Sequence, residues 1–275
     1  MFNWRGFHFS KRASDRRRRQ AAPRRDYVLE AVIAREGVGV EFQPQIDPST
    51  GRVAGVEALA RWKGDTDAAR LFRRAETAGL HERLSRLIQR RALRIAGAWE
   101  GPLRDIGLSI NLLPQDISRD GFEDWLLEEV HHAGIDPTRV TVEITESAIL
   151  ADHEAVSKRL AKLRAAGLTI ALDDFGTGYA SLSYLASLPL DTLKIDRSLI
   201  ADIVGRDRSR IVVKATIRLA RELGLKLVVE GVESSEQLAM LAGWGCDLYQ
   251  GFVSARAMDQ DELARFVGAS LLKAA

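Results

Sequence analysis

Residues 40–61 read Val40-Glu41-Phe42-Gln43-Pro44-Gln45-Ile46-Asp47-Pro48-Ser49-Thr50-Gly51-Arg52-Val53-Ala54-Gly55-Val56-Glu57-Ala58-Leu59-Ala60-Arg61. Two runs suited to strands, 40–46 and 53–61, flank the turn-forming cluster Asp47-Pro48-Ser49-Thr50-Gly51. Five residues cannot make the crossover that parallel neighbours need, so the two runs predict an antiparallel hairpin. Further strands are expected at 106–112, 140–145, 169–173, 192–195, 226–229 and 247–252, with helical periodicity in most of the intervals, as at 83–99 and 153–166. Gly134, Gly167 and Gly224 stand where helices should stop, and Ser234 with Gln237 resembles a capping box opening a helix at 236–242. Eight strands separated mostly by helices, with no linker to divide them, fit an α/β fold: a TIM-like (β/α)8 barrel with an antiparallel first strand.

With 46% hydrophobic and 28% charged residues, the chain can bury one large core beneath a solvated surface. No apolar run approaches the ~18 residues of a membrane span, and the first residues lack the apolar stretch of a secretory signal. One cysteine, Cys246, excludes an internal disulfide and a cysteine-based zinc cage, so a cytoplasmic protein is expected. Residues 1–26 hold nine Lys/Arg against Asp15 and Asp26, whereas the remainder is net acidic. The expected organisation is a basic, flexible leader, residues 1–25, on a single domain, residues 26–275. Phe2, Trp4, Phe7 and Phe9 suit that leader to a regulatory protein or an anionic membrane surface; the plainer reading is a solvated tail. No nucleic-acid polymer is expected among the partners.

Acids gather at the downstream ends of the expected strands: Glu57, Glu143, Glu146, Asp173, Asp174, Asp196, Glu230 and Glu233, with Asn111 beside them. In a parallel barrel these ends open on one face. Two carboxylates about 4 Å apart repel by roughly 4 kcal/mol at an effective dielectric near 20. Such a crowd requires protonation or a cation, and an all-oxygen donor set suits Mg2+ or Mn2+ rather than zinc. Taken singly, Glu143, Asp196 or Glu233 would be read as a helix cap or an ion-pair partner. Asp173-Asp174 is harder to dismiss, because strand alternation places one of the two inside the barrel, where an unpaired charge is costly. Gly176-Thr177-Gly178 is a weak dinucleotide signal, since Ser181 stands where a third glycine belongs and two acids precede it. A mobile loop hinged at Gly176 and Gly178 fits better.

Gly55-Val56-Glu57-Ala58-Leu59-Ala60-Arg61-Trp62 resembles the signature of EAL domains, the phosphodiesterases of cyclic di-GMP. The resemblance continues through Gln43-Pro44, Asn111, Glu143-Ile144-Thr145-Glu146, Asp173-Asp174-Phe175-Gly176-Thr177-Gly178-Tyr179, Lys194-Ile195-Asp196, Glu230-Gly231-Val232-Glu233 and Gln250-Gly251-Phe252. It implies two Mg2+ or Mn2+ ions held by Glu57, Asn111, Glu143, Asp173, Asp174 and Glu230. It also implies that Lys194 orients or activates the attacking water and that Glu146 anchors the loop bearing Gly176 and Gly178. Gln43, Arg61 and Gln250 are expected to contact the nucleotide. The implied activity is hydrolysis of cyclic di-GMP to linear pGpG by a homodimer, the rival being an inactive receptor that signals through a protein partner. Two stretches depart from the family pattern: a shortened segment leading from Trp62 to Ala75-Glu76-Thr77-Ala78-Gly79, and Val253-Ser254-Ala255-Arg256-Ala257 after the Gln-Gly pair. Both border the expected substrate mouth.

Overall fold

The Asp47 carboxylate sets the first chain reversal. Its Oδ1 accepts the Ser49 N–H at 2.7 Å, the Ser49 hydroxyl at 2.6 Å and the Thr50 N–H at 3.3 Å, an Asx arrangement that substitutes for strand pairing within the turn. Gly51 follows at φ +68°, a conformation that favours glycine. The turn joins β1 (Gly39–Ile46) to β2 (Val53–Arg61) in the expected antiparallel hairpin, with Gln43 directly opposite Glu57. The computed structural model describes residues 25–62, 68–149, 152–176 and 182–273, so the expected leader lies, Arg25 apart, outside the described residues.

Six more strands close the expected barrel: β3 (Gly107–Leu112), β4 (Val140–Thr145), β5 (Thr169–Phe175), β6 (Thr192–Ile195), β7 (Lys226–Val229) and β8 (Leu248–Tyr249). Each of β3 to β8 pairs in parallel with the strand before it, and β8 meets β1 antiparallel at Ile46 and Tyr249. Strand alternation sorts the side chains. In β4, Val140, Val142 and Ile144 are fully buried in the hydrophobic core, whereas Thr141 and Glu143 line the barrel interior.

Two strands differ from expectation at their downstream ends. β8 ends at Tyr249 rather than 252 because the chain turns out of the sheet. Val232 N–H donates to the Gln250 carbonyl and Val253 N–H donates to the Val232 carbonyl. Gly251 passes so close that a Cβ there would lie 2.1 Å from the Val232 carbonyl oxygen. β5 runs past 173 to Phe175 through a bulge: Leu172 faces Leu193 and Phe175 faces Ile195, so Asp173 and Asp174 stand against a single residue of β6.

Helices surround the barrel. They are α1 (Tyr27–Ala34), α2 (Ala68–Thr77), α3 (His81–Gly97), α4 (Pro114–Ile117), α5 (Phe122–Ala133), α6 (Glu146–Ile149), α7 (His153–Ala165), α8 (Leu182–Ser187), α9 (Arg197–Ile200), α10 (Asp207–Glu222), α11 (Ser235–Trp244) and α12 (Gln260–Lys273). The expected glycine stops hold: Gly134, Gly167 and Gly224 all take positive φ after α5, α7 and α10. Ser234 and Gln237 form the expected capping box, opening α11 one residue earlier and closing it two later than read. Among the described residues no helix is long and apolar enough to cross a membrane.

α3 packs beside α5 as well as on β1 and β3, and its last residue fixes how near α5 comes. A Cβ on Gly97 would sit 1.9 Å from the Ala133 carbonyl oxygen. Gly97→Ala should therefore force α3 and α5 apart at a cost of about 1–3 kcal/mol. The expected result is a lower urea midpoint at unchanged slope; a midpoint equal to that of the parent would refute the close approach.

Candidate active site

Lys194 projects from β6 into the barrel and is 1% exposed. An ammonium so placed is sustained by opposite charge. Its Nζ lies 2.6 Å from Glu230, 2.7 Å from Glu143, 3.1 Å from Asp173 and 3.6 Å from Glu57. Burial works against the ammonium, and the four carboxylates more than offset it, holding the Lys194 pKa well above its ordinary value. Beneath this cluster a cavity of about 250 Å³ runs down the barrel interior past Ser109, Thr141 and Thr192. Above it opens a mouth of about 330 Å³, lined among others by Gln43, Glu57, Asp173, Asp174, Glu230 and Gln250.

The acids do not share Lys194 equally. Burial tends to raise the Glu57 pKa, but Lys194, the Asn111 amide at 2.8 Å and the Gln250 amide at 2.7 Å bring it below the usual carboxylate value. Glu143 is driven well above the ordinary range, first by burial and then by Glu57, Asp173 and Glu230, despite Lys194. Burial and the charges of Asp173 and Glu57 push Glu230 up to about 8. Asp174 rises to about 6, through burial and the neighbouring Asp173 and Asp196. Asp174 takes φ +57°, unusual outside glycine. Regular alternation would send adjacent acids to opposite faces. The bulge instead re-aims Asp174, so that carboxylate oxygens of Asp173, Asp174 and Glu230 all lie within 4.8 Å of one another.

The barrel thus brings together Glu57, Asn111, Glu143, Asp173, Asp174, Lys194 and Glu230. Gln250 and Gln43 join them, the Gln250 amide donating to Gln43 Oε1 at 3.1 Å and Gln43 Nε2 to the Ala255 carbonyl at 3.4 Å. Arg61 stands apart at the rim, where its Nε donates to Glu41 at 2.7 Å and an Nη donates to the Ala60 carbonyl at 3.0 Å. Glu146 opens α6 and is buried. Of the loop it is expected to anchor, Gly176 is described, with φ +103°, whereas Gly178 lies outside the described residues. Residues 63–67 of the shortened segment after Trp62 also lie outside them. Asp196 takes the plain role, capping α9 through the Ser198 N–H at 2.8 Å. Sequence reading missed Ser85, Gln89 and Asp116, which are buried behind Asn111. The local signal was Pro114 followed by Asp116, a pattern that opens a helix.

This donor set fits a hard divalent cation. Every acidic donor is oxygen, Glu143 Oε1 is buried without a hydrogen-bond partner, and one ammonium faces four carboxylates. The same imbalance makes Lys194 a structural necessity when no cation is bound. At neutral pH and in chelator, Lys194→Met should lose about 3–5 kcal/mol of unfolding free energy. The loss should shrink at pH 5, where the freed acids take up protons. Urea denaturation at the two pH values checks this, and an equal loss at both would contradict it.

The profile of the EAL domain family matches residues 25–257. A relative in Pseudomonas aeruginosa named cyclic di-GMP phosphodiesterase PA2567 is 34% identical over 238 residues, covering 85% of this chain and 40% of its own length. The chain spans about a third of the length of the other leading curated relatives it matches. The solved structure of the PaMucR phosphodiesterase in complex with c-di-GMP superposes with a TM-score of 0.81 at 32% identity, over 86% of this chain and 98% of the other. The manganese and cyclic di-GMP complex of Klebsiella pneumoniae BlrP1 superposes at 0.74 and 32%, over 81% and 56%. The profile spans most of the sequence and the barrel arranges its acids in the order that the motifs require, so the chain belongs to the EAL domain family.

Proposed function

We propose that this chain hydrolyses cyclic di-GMP to linear pGpG in a reaction that requires divalent cations. The observation that carries this reading is the cluster of carboxylates around Lys194 at the barrel mouth, whose negative charge one ammonium cannot balance. The names of the phosphodiesterase relatives, and the cyclic di-GMP bound in the structures of PaMucR and BlrP1, support the substrate.

In this proposal Glu57, Asn111, Glu143, Asp173, Asp174 and Glu230 hold two ions, Mg2+ or Mn2+. Ions so held would supply positive charge to a phosphodiester oxygen and lower the pKa of a water poised for in-line attack. Lys194 keeps Glu143, Asp173 and Glu230 in register and, with its pKa raised, acts as a hydrogen-bond donor that orients the water. Gln43 and Gln250 contact the nucleotide from the mouth. Arg61 does so from the rim, exchanging its Glu41 partner for the substrate. Glu146 positions the chain that follows β5. The attacking water gives up one proton as its oxygen bonds to phosphorus and the P–O3′ bond breaks, and the departing 3′ oxygen takes up one proton, leaving the 5′-phosphate and 3′-hydroxyl of pGpG.

Incubation of purified protein with cyclic di-GMP and Mg2+ or Mn2+, resolved by chromatography, should yield pGpG. Chelation should abolish turnover and added cation should restore it. Unchanged nucleotide with tight binding would replace the hydrolase by a receptor. Glu57→Ala should lower turnover at least about 100-fold while the circular dichroism spectrum is retained; wild-type turnover in that variant would remove Glu57 from the site.

A further inference from the structure

α3 is amphipathic, and the face it turns inward should be apolar. Leu84, Ile88 and Ala92 obey this rule, but Ser85 and Gln89, one turn apart on the same face, are each only 2% exposed. Asp116, in α4, is fully buried. Buried polar side chains need hydrogen-bond partners, and most polar atoms of these three find them in one another, though Gln89 Oε1 and Asp116 Oδ1 are buried without one. Here Asp116 Oδ2 accepts the Ser85 hydroxyl at 2.5 Å, the Leu113 N–H at 3.1 Å and the Gln89 amide at 3.2 Å. The Gln89 Nε2 also donates to Ser85 Oγ at 3.0 Å and to the Asn111 main-chain carbonyl at 3.0 Å.

The network ends on the residue whose side chain enters the acidic cluster. Asn111 is near the end of β3, and its Nδ2 donates to Glu57 Oε1 at 2.8 Å. That donation commits the amide nitrogen to Glu57 and leaves the amide oxygen as the acceptor end for a cation. The direction of the amide depends on the backbone at Asn111, which is gripped at its own carbonyl by Gln89 and two residues later at the Leu113 N–H by Asp116. A core staple with no other purpose could have been built from apolar side chains. We infer that Gln89 and Asp116 are positioning residues, which fix the Asn111 backbone so that its amide meets Glu57 and a divalent cation in one geometry. This inference rests on the cation reading of the site given above.

The test measures Mn2+ binding to the full chain by calorimetry, alongside thermal melting and steady-state kinetics. Gln89→Met keeps the volume but removes the amide. It should weaken Mn2+ about tenfold, the scale of outer-shell partners, and lower kcat while leaving KM for cyclic di-GMP unchanged. Asp116→Asn keeps an acceptor for Ser85 and Leu113 and should stay within about threefold of wild type for Mn2+. A Gln89→Met protein that melts earlier yet binds Mn2+ as wild type does would overturn the inference and leave only a core staple. A tenfold loss in Asp116→Asn would overturn it as well, since the acceptor geometry is kept. If Gln89→Met does not fold, Ser85→Ala opens the same network at its far end. A Mn2+ affinity at least about threefold weaker supports the inference, and an unchanged one overturns it. Absence of Mn2+ binding by the wild-type protein would instead bring down the cation reading itself, and the inference with it.

Discussion

Four carboxylates converge on the Lys194 ammonium, and the barrel mouth is arranged around keeping that charge buried. A lysine at 1% exposure is tolerated because the surrounding acids offset its desolvation. The converse also holds: Glu143, buried and flanked by Glu57, Asp173 and Glu230, is held only partly by Lys194, and its pKa stays high. The site is therefore balanced for the arrival of positive charge. Lys194 offsets part of the negative charge and still leaves Glu143 and Glu230 above the ordinary carboxylate range.

The scaffold delivers these groups by simple geometry. Strand alternation puts Glu143 inside the barrel while Val142 and Ile144 pack outward, and Gln43 lies opposite Glu57 because the first hairpin is antiparallel. Parallel pairing then sets Asn111 beside Glu143. Apart from a register shift between Gln45 and Ile46 beside the first turn, two features break the regularity at the mouth. The β5 bulge turns Asp174 back toward Asp173, and the sharp exit at Gly251 follows directly on Gln250, whose amide donates to Glu57. At the mouth, these irregularities let side chains converge that regular strands would send to alternate faces.

Behind Asn111 a second polar assembly, Ser85, Gln89 and Asp116, replaces part of the apolar seam between α3 and the barrel. Burial pushes the Asp116 carboxyl upward, against the pull of Ser85, Leu113, Gln89 and Arg119. Polar groups in such a position give less stability than apolar ones but hold a narrower geometry. That trade suits a residue whose side chain meets the Glu57 carboxylate and, in the proposed site, a cation as well.

The sequence alone determined the barrel, because its evidence is local. A five-residue turn forbids a parallel crossover, Val-Thr-Val-Glu-Ile-Thr alternates by itself, and Gly134, Gly167 and Gly224 end helices wherever those helices are placed. The acidic motifs were legible for the same reason, each lying within a few residues of a strand end. Tertiary structure decided how they meet. Lys194 finds Glu143 across 51 residues and Gln250 finds Glu57 across 193, and no local pattern records such distances. Asp174 faces the mouth only because β5 bulges against β6, a mismatch of two strands that neither one contains. Gln89 and Ser85 read as ordinary polar positions on a charged helix until packing removes the water from them. Short-range sterics and alternation act within one segment and can be read there, whereas burial and charge balance belong to surfaces that exist only once the barrel has closed.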